Sequence, residues 1–94
     1  MELEEMVKNE IEAIDIHETE EPDQYAVHYT LTLLDLLEEN GQLDTPWGKE
    51  LQKKVLYFAP KFAPFVKGGP PNGQKGWWWQ LEKIVEGKMK VTIY

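Results

Sequence analysis

The chain has 94 residues and a mass of 11.0 kDa, which allows one domain, residues 1–94, with a small core and leaves no room for a second. Its composition, 41% apolar and 29% charged, is that of a globular protein rather than a disordered one. It contains no cysteine, serine or arginine, which excludes disulfides, thiolate metal sites, thiol and serine nucleophiles, and bidentate guanidinium recognition of phosphate or guanine.

The net charge of −7 is unevenly spread. Residues 1–47 hold one lysine against fourteen acids, and residues 48–94 hold nine lysines against three. The simplest consequence is mutual neutralisation in the fold; the sharper one is two faces for different partners. No apolar run approaches the length of a membrane span. The acidic start Met1-Glu2-Leu3-Glu4-Glu5 has the wrong charge for a secretory leader, so the sequence reads as cytoplasmic.

In chain order, Leu3, Met6 and Val7 share a helical face over residues 2–9, and Ile11 and Ile14 extend it, although Ile11–Ile16 also suits a strand. Pro22-Asp23 inside a polar run marks a turn. Beyond it Tyr25, Val27, Tyr29, Leu31 and Leu33 alternate with Ala26, His28, Thr30 and Thr32, the period of a half-buried strand. Paired with residues 10–17 this makes a hairpin. The competing reading is a helix over 23–40 capped by Asp23, since Val27, Leu31 and Leu34 also fall at helical spacing.

Helices follow over 33–40, stopped by Asn40-Gly41, and over 46–58, where Thr45 caps and Pro46 takes the first helical position. Phe58-Ala59-Pro60 recurs as Phe62-Ala63-Pro64, whose phenylalanines suit the core better than an extended ligand segment. A Gly/Pro-rich loop fills 67–76. It falls short of a phosphate cradle, because Gln74 stands where lysine is needed and Pro70 and Pro71 remove backbone donors. Trp77, Trp78, Leu81, Ile84 and Val85 then form one face of a helix over 77–86, with Trp79 off it and Gly87 as the stop. From Lys88 to Tyr94, lysine and threonine alternate with Met89, Val91 and Ile93, the pattern of a strand that needs a partner. The fold this implies is α+β: a three-stranded antiparallel sheet near 10–17, 24–32 and 88–94 packed on three helices. An all-α fold is the alternative.

Chemistry-bearing constellations are sparse. The carboxylate pairs Glu4-Glu5, Glu20-Glu21 and Glu38-Glu39 lie in solvated charge runs. His17 and His28 would flank the hairpin turn beside Glu18, Glu20 and Asp23, but their spacing matches no established ligand set, so no metal and no cofactor is assigned. No motif supports an enzyme. Nine of the eleven aromatics lie from Trp47 onward, amid nine lysines. Filling the core is the first role such rings suggest; as function, the clustering supports a non-catalytic protein-interaction or regulatory module whose surface is Trp77, Trp78, Trp79, Phe65 and Lys75. A second reading is a single-stranded nucleic-acid module using Lys53, Lys61, Lys67, Lys75 and Trp79. A third is an acidic nucleic-acid mimic, viral or mobile-element in character, built on the carboxylates at 10, 12, 15, 18, 20, 21 and 23. An unpaired terminal strand at 88–94 would also permit a homodimer.

Overall fold

Leu3, Val7, Ile11 and Ile14 recur at helical spacing, and this stripe decides the start of the chain. In the computed structural model, which describes residues 2–67 and 76–93, helix α1 spans Leu3–Ala13 and tightens into a 3-10 turn over Ile14–Glu18. Val7, Ile11 and Ile14 are buried. Residues 10–17 are therefore helical and form no hairpin arm.

Helix α2 spans Gln24–Glu39. Its first turn is fixed by Asp23, whose Oδ1 accepts from the Ala26 N–H at 2.8 Å. The alternation that suggested a strand is broken up by the helix. Tyr25 and Tyr29 are exposed, while Val27, Leu31 and Leu33 are buried, although all five would share one face of a strand. The stripe Val27, Leu31, Leu34 continues through Leu37. A strand ending near Leu33 would have left that stripe half used. No described residue lies in a strand, so the expected three-stranded sheet is absent and the all-α alternative describes the fold. The chain leaves α2 through Gly41 at φ 65°. The N–H groups of Gly41 and Gln42 bond back to Glu38 and Leu37 at 3.1 and 2.8 Å, closing the helix as a Schellman turn.

Helix α3, Pro46–Tyr57, begins as its sequence indicates: Pro46 in the first turn and Thr45 Oγ1 accepting from the Gly48 N–H at 3.1 Å. Pro60 then divides α3 from the short helix α4, Ala59–Phe62, which runs into a 3-10 turn over Ala63–Phe65. Phe58 and Phe62 are both buried and stack at 5.9 Å, so the repeated Phe-Ala-Pro serves the core. Residues 68–75, most of the Gly/Pro-rich loop and including Lys75, lie outside the described residues.

The expected helix over 77–86 is a 3-10 turn, Trp77–Gln80, leading into α5, Leu81–Val85. Gly87, at φ 78°, closes it with the same pair of back-bonds seen at Gly41. Helix α1 packs on α2 and α3, and α4 packs on α5; one core joins them, with Val7, Leu31, Leu34, Leu51, Phe62, Trp78 and Leu81 at its centre. In the tail the alternation persists without a sheet. Met89, Val91 and Ile93 are half-buried and Lys88, Lys90 and Thr92 exposed.

Because the Asp23 cap is what tips residues 23–33 towards helix, Asp23→Ala is expected to lower unfolding free energy by about 1 kcal/mol in chemical denaturation. An unchanged midpoint would show that burial of the α2 stripe alone sets that helix start.

Candidate functional site

Asp35 lies in the middle of α2, flanked by Leu34 and Leu36, and is 5% exposed. Helical spacing puts it one turn after Leu31, on the core-facing side. Burying a carboxylate is costly unless hydrogen bonds replace its hydration. Here Oδ1 accepts from the Trp78 indole N–H at 2.9 Å and from the Trp79 N–H at 3.0 Å, and Oδ2 lies 3.0 Å from the same Trp79 nitrogen. Both indoles carry one donor and no acceptor, so the carboxylate is the partner they require. The tight 3-10 winding of Trp77–Gln80 turns two consecutive tryptophans towards one residue. Gly76 permits it: a Cβ there would lie 2.2 Å from the Trp78 ring.

This arrangement corrects the expected placement of the tryptophans. Trp78 and Trp79 are 1% and 2% exposed, and it is Trp77, not Trp79, that stands at the rim, edge-on to Trp78 at 5.6 Å. Of the residues expected to form a contact surface, Trp77 and Phe65 are half-buried, Trp78 and Trp79 are core, and Lys75 lies outside the described residues.

Of the lysines of the nucleic-acid reading, Lys53 and Lys61 border clefts that share the exposed Tyr57 ring with Glu18, and Lys75 lies outside the described residues. Lys53 shares a cleft of about 360 Å³ with Asp15, Glu18, Glu50, Lys54, Tyr57 and Phe58. Lys54 is held by Asp15 at 2.6 Å, and Lys61 donates to the backbone carbonyls of His17 and Glu18. Lys67 is exposed, and Trp79 is buried. The Glu18 carboxylate beside the Tyr57 phenol at the same cleft raises that phenol above its usual range.

The two histidines serve different neighbours. His17 is buried edge-on against Phe62 and Phe58 at 5.6 and 6.2 Å, with Nδ1 donating to the Glu20 carbonyl at 3.3 Å. His28 packs edge-on against Trp79 at 5.4 Å and donates through Nε2 to the Phe65 carbonyl at 3.0 Å. A carbonyl only accepts, which fixes the proton on each of those nitrogens. Among the described residues no group of three or more His, Cys, Asp or Glu is placed to hold a metal ion.

Of the carboxylates in the mimic reading, Glu12, Asp15, Glu18, Glu20, Glu21 and Asp23 are exposed, whereas Glu10 turns inward. Burial raises the Glu10 carboxyl above its ordinary range, against the hydrogen bond from Thr30 and the nearby His17 charge. Thr30 Oγ1 lies against both Glu10 Oε2 and the Ala26 carbonyl, the latter at 3.0 Å. The hydroxyl has one proton for two acceptors. Thr30 donates to Glu10 Oε2 and to the Ala26 carbonyl by turns, so neither acceptor holds it fully.

The surface that sequence reasoning missed is the outer face of α2. Tyr25 is 88% exposed and Tyr29 46%, one helical turn apart. With Gln24, His28 and Thr32 they line a cleft of about 440 Å³ that, among the described residues, contains no acid and no lysine. Reading residues 25–33 as a strand hid the pair, because it placed both rings among the buried residues. Their i, i+4 spacing was the available signal.

Compared with protein-family models, curated proteins and solved structures, the chain matches none.

Two expectations follow from the buried carboxylates. Asp35→Leu, which leaves two buried indole donors unpaired, is expected to cost about 3 kcal/mol or more in chemical denaturation. Asp35→Asn is expected to cost distinctly less, since one amide oxygen at the Oδ1 position still accepts from both indoles; equal losses would contradict the geometry. For Glu10 the raised folded-state pKa means that the native state binds the proton more tightly. Its contribution is complete below the unfolded-state pKa and is lost as pH rises through the folded value. Glu10→Gln, which removes the ionisable group that burial penalises, is therefore expected to raise the melting temperature at about pH 7 and to leave it nearly unchanged at about pH 4. A lower melting temperature at neutral pH would overturn this account.

Proposed function

We propose that the chain is a non-catalytic protein-interaction module whose contact surface is the tyrosine face of α2. One observation carries the reading: two neighbouring tyrosines project from an uncharged cleft in a chain of net charge −7. Tyrosine offers large contact area with few rotatable bonds and a polar tip, and it is enriched in protein interfaces. Single exposed apolar residues are ordinary on any surface. Two aligned rings beside His28, Gln24 and Thr32 are a patch.

The support beneath the patch favours recognition without rearrangement. His28 is tied to Phe65 and lies against the Trp79 ring, which Asp35 anchors. A surface backed by core side chains loses little freedom on binding. Trp78 and Trp79 thus take part as a foundation, and Trp77 and Phe65 lie at half-buried positions.

The test is affinity capture with the wild-type chain and a Tyr25→Ala/Tyr29→Ala variant, with thermal unfolding of both. Exposed tyrosines predict a melting temperature within a few degrees of wild type, since surface substitutions shift stability by about 0.5 kcal/mol or less. Partner yield is expected to fall at least about tenfold, the loss of one modest hot spot. An uncharged contact also predicts retention as salt is raised, where a nucleic-acid surface would release its ligand steeply. Undiminished capture by the double variant would remove the tyrosine face from the interaction.

A further inference from the structure

From Met89 to Ile93 the chain is patterned as a strand but has no strand beside it among the described residues. Three half-buried residues, Met89, Val91 and Ile93, alternate with the exposed Lys90 and Thr92, and Val91-Thr92-Ile93 is a β-branched run. The Lys88 N–H still closes the Gly87 turn by bonding to Lys83 at 2.8 Å. Beyond it no backbone hydrogen bond joins residues 89–93 to another described residue. The rest of the described chain is helical and offers no sheet edge.

We propose that the partner strand is the same segment of a second copy, paired antiparallel to form a two-stranded ribbon across a symmetric dimer. The sequence is self-complementary in that direction. With Val91 opposite Val91 of the second copy, Met89 faces Ile93 and Lys90 faces Thr92, so apolar meets apolar and no two lysines oppose each other. A parallel in-register pairing would set Lys90 against Lys90. A two-fold axis through the ribbon makes the contact close on itself, giving a dimer and not a filament. A ribbon of this length is unstable alone. Here one side of the segment is already partly withdrawn from water, as the half-burial of Met89, Val91 and Ile93 shows. The contact is small, and it forms a weak dimer whose population depends on concentration.

Sedimentation of the whole chain from about 5 μM to about 500 μM reads that dependence directly. The wild type should shift from monomer to dimer across the range. Thr92 is exposed, so charge changes there leave the body intact. Thr92→Glu places two opposite-charge pairs with Lys90 across the ribbon and should tighten the dimer by roughly three- to tenfold, whereas Thr92→Lys should weaken it by a similar factor. Val91→Pro/Thr92→Pro removes one N–H pointing to each edge of the strand and should leave a monomer that melts like dilute wild type. A wild-type chain that stays monomeric throughout overturns the proposal. A dimer indifferent to all three variants overturns it as well. Loss of such a dimer in the Tyr25→Ala/Tyr29→Ala variant would place the contact on α2 instead.

Discussion

A single carboxylate, buried in the second helix, determines how the two ends of the sequence meet. Asp35 is separated from Trp78 and Trp79 by more than forty residues, and their hydrogen bonds join α2 to the turn that opens the last helix. Apolar packing alone would bury these rings in several orientations of similar energy. A charged acceptor shared by two donors allows few, because any orientation that breaks the pairing leaves polar atoms stranded in the core. The interaction is thus better understood as selecting one arrangement than as adding net stability, since the desolvation of Asp35 offsets much of what the bonds return.

Much of the C-terminal third follows from that anchor. Two adjacent tryptophans reach one carboxylate only if the backbone winds tightly, which accounts for the 3-10 turn at Trp77–Gln80 in place of a regular helix start. It also requires bare backbone at Gly76, where any side chain would enter the Trp78 ring. Trp79, held in place, supplies the wall against which His28 packs, and His28 in turn reaches the carbonyl of Phe65. The tyrosine face of α2 therefore stands on a chain of contacts that begins inside the core, although neither tyrosine is itself buried.

What could be read from the sequence depended on whether a local signal had a competitor. The start of α3 had none: Thr45, Pro46 and the Leu51, Val55 stripe agree, and the structure agrees with them. The stop at Asn40-Gly41 and the core role of Phe58 and Phe62 were similarly unambiguous. Residues 24–33 carried two periods at once. Val27 and Leu31 satisfy both a strand and a helix, and only the continuation through Leu34 and Leu37, with the Asp23 cap, separates them. The shorter period misplaces Tyr25 and Tyr29 and implies a sheet that is absent among the described residues. Asp35 was hidden for a different reason. An acid among leucines resembles a surface position until its donors are known, and the run Trp77-Trp78-Trp79 names those donors only after the tight turn has been seen. The candidate surface was displaced accordingly, from the rings that build the core to the rings that cover it.

The tail shows the opposite relation between pattern and context. Its alternation is as regular as that of residues 25–33, and no helical stripe contradicts it: Met89, Val91 and Ile93 are two apart, and Gly87 bars the helix from running on. Burial along the segment follows the same period of two. The described residues do not supply the other requirement of a strand, a row of backbone partners. In α2 the helix satisfied both needs within itself, and the strand pattern gave way. For residues 89–93 no described residue satisfies the second need, and the proposed second copy would supply it with another extended chain.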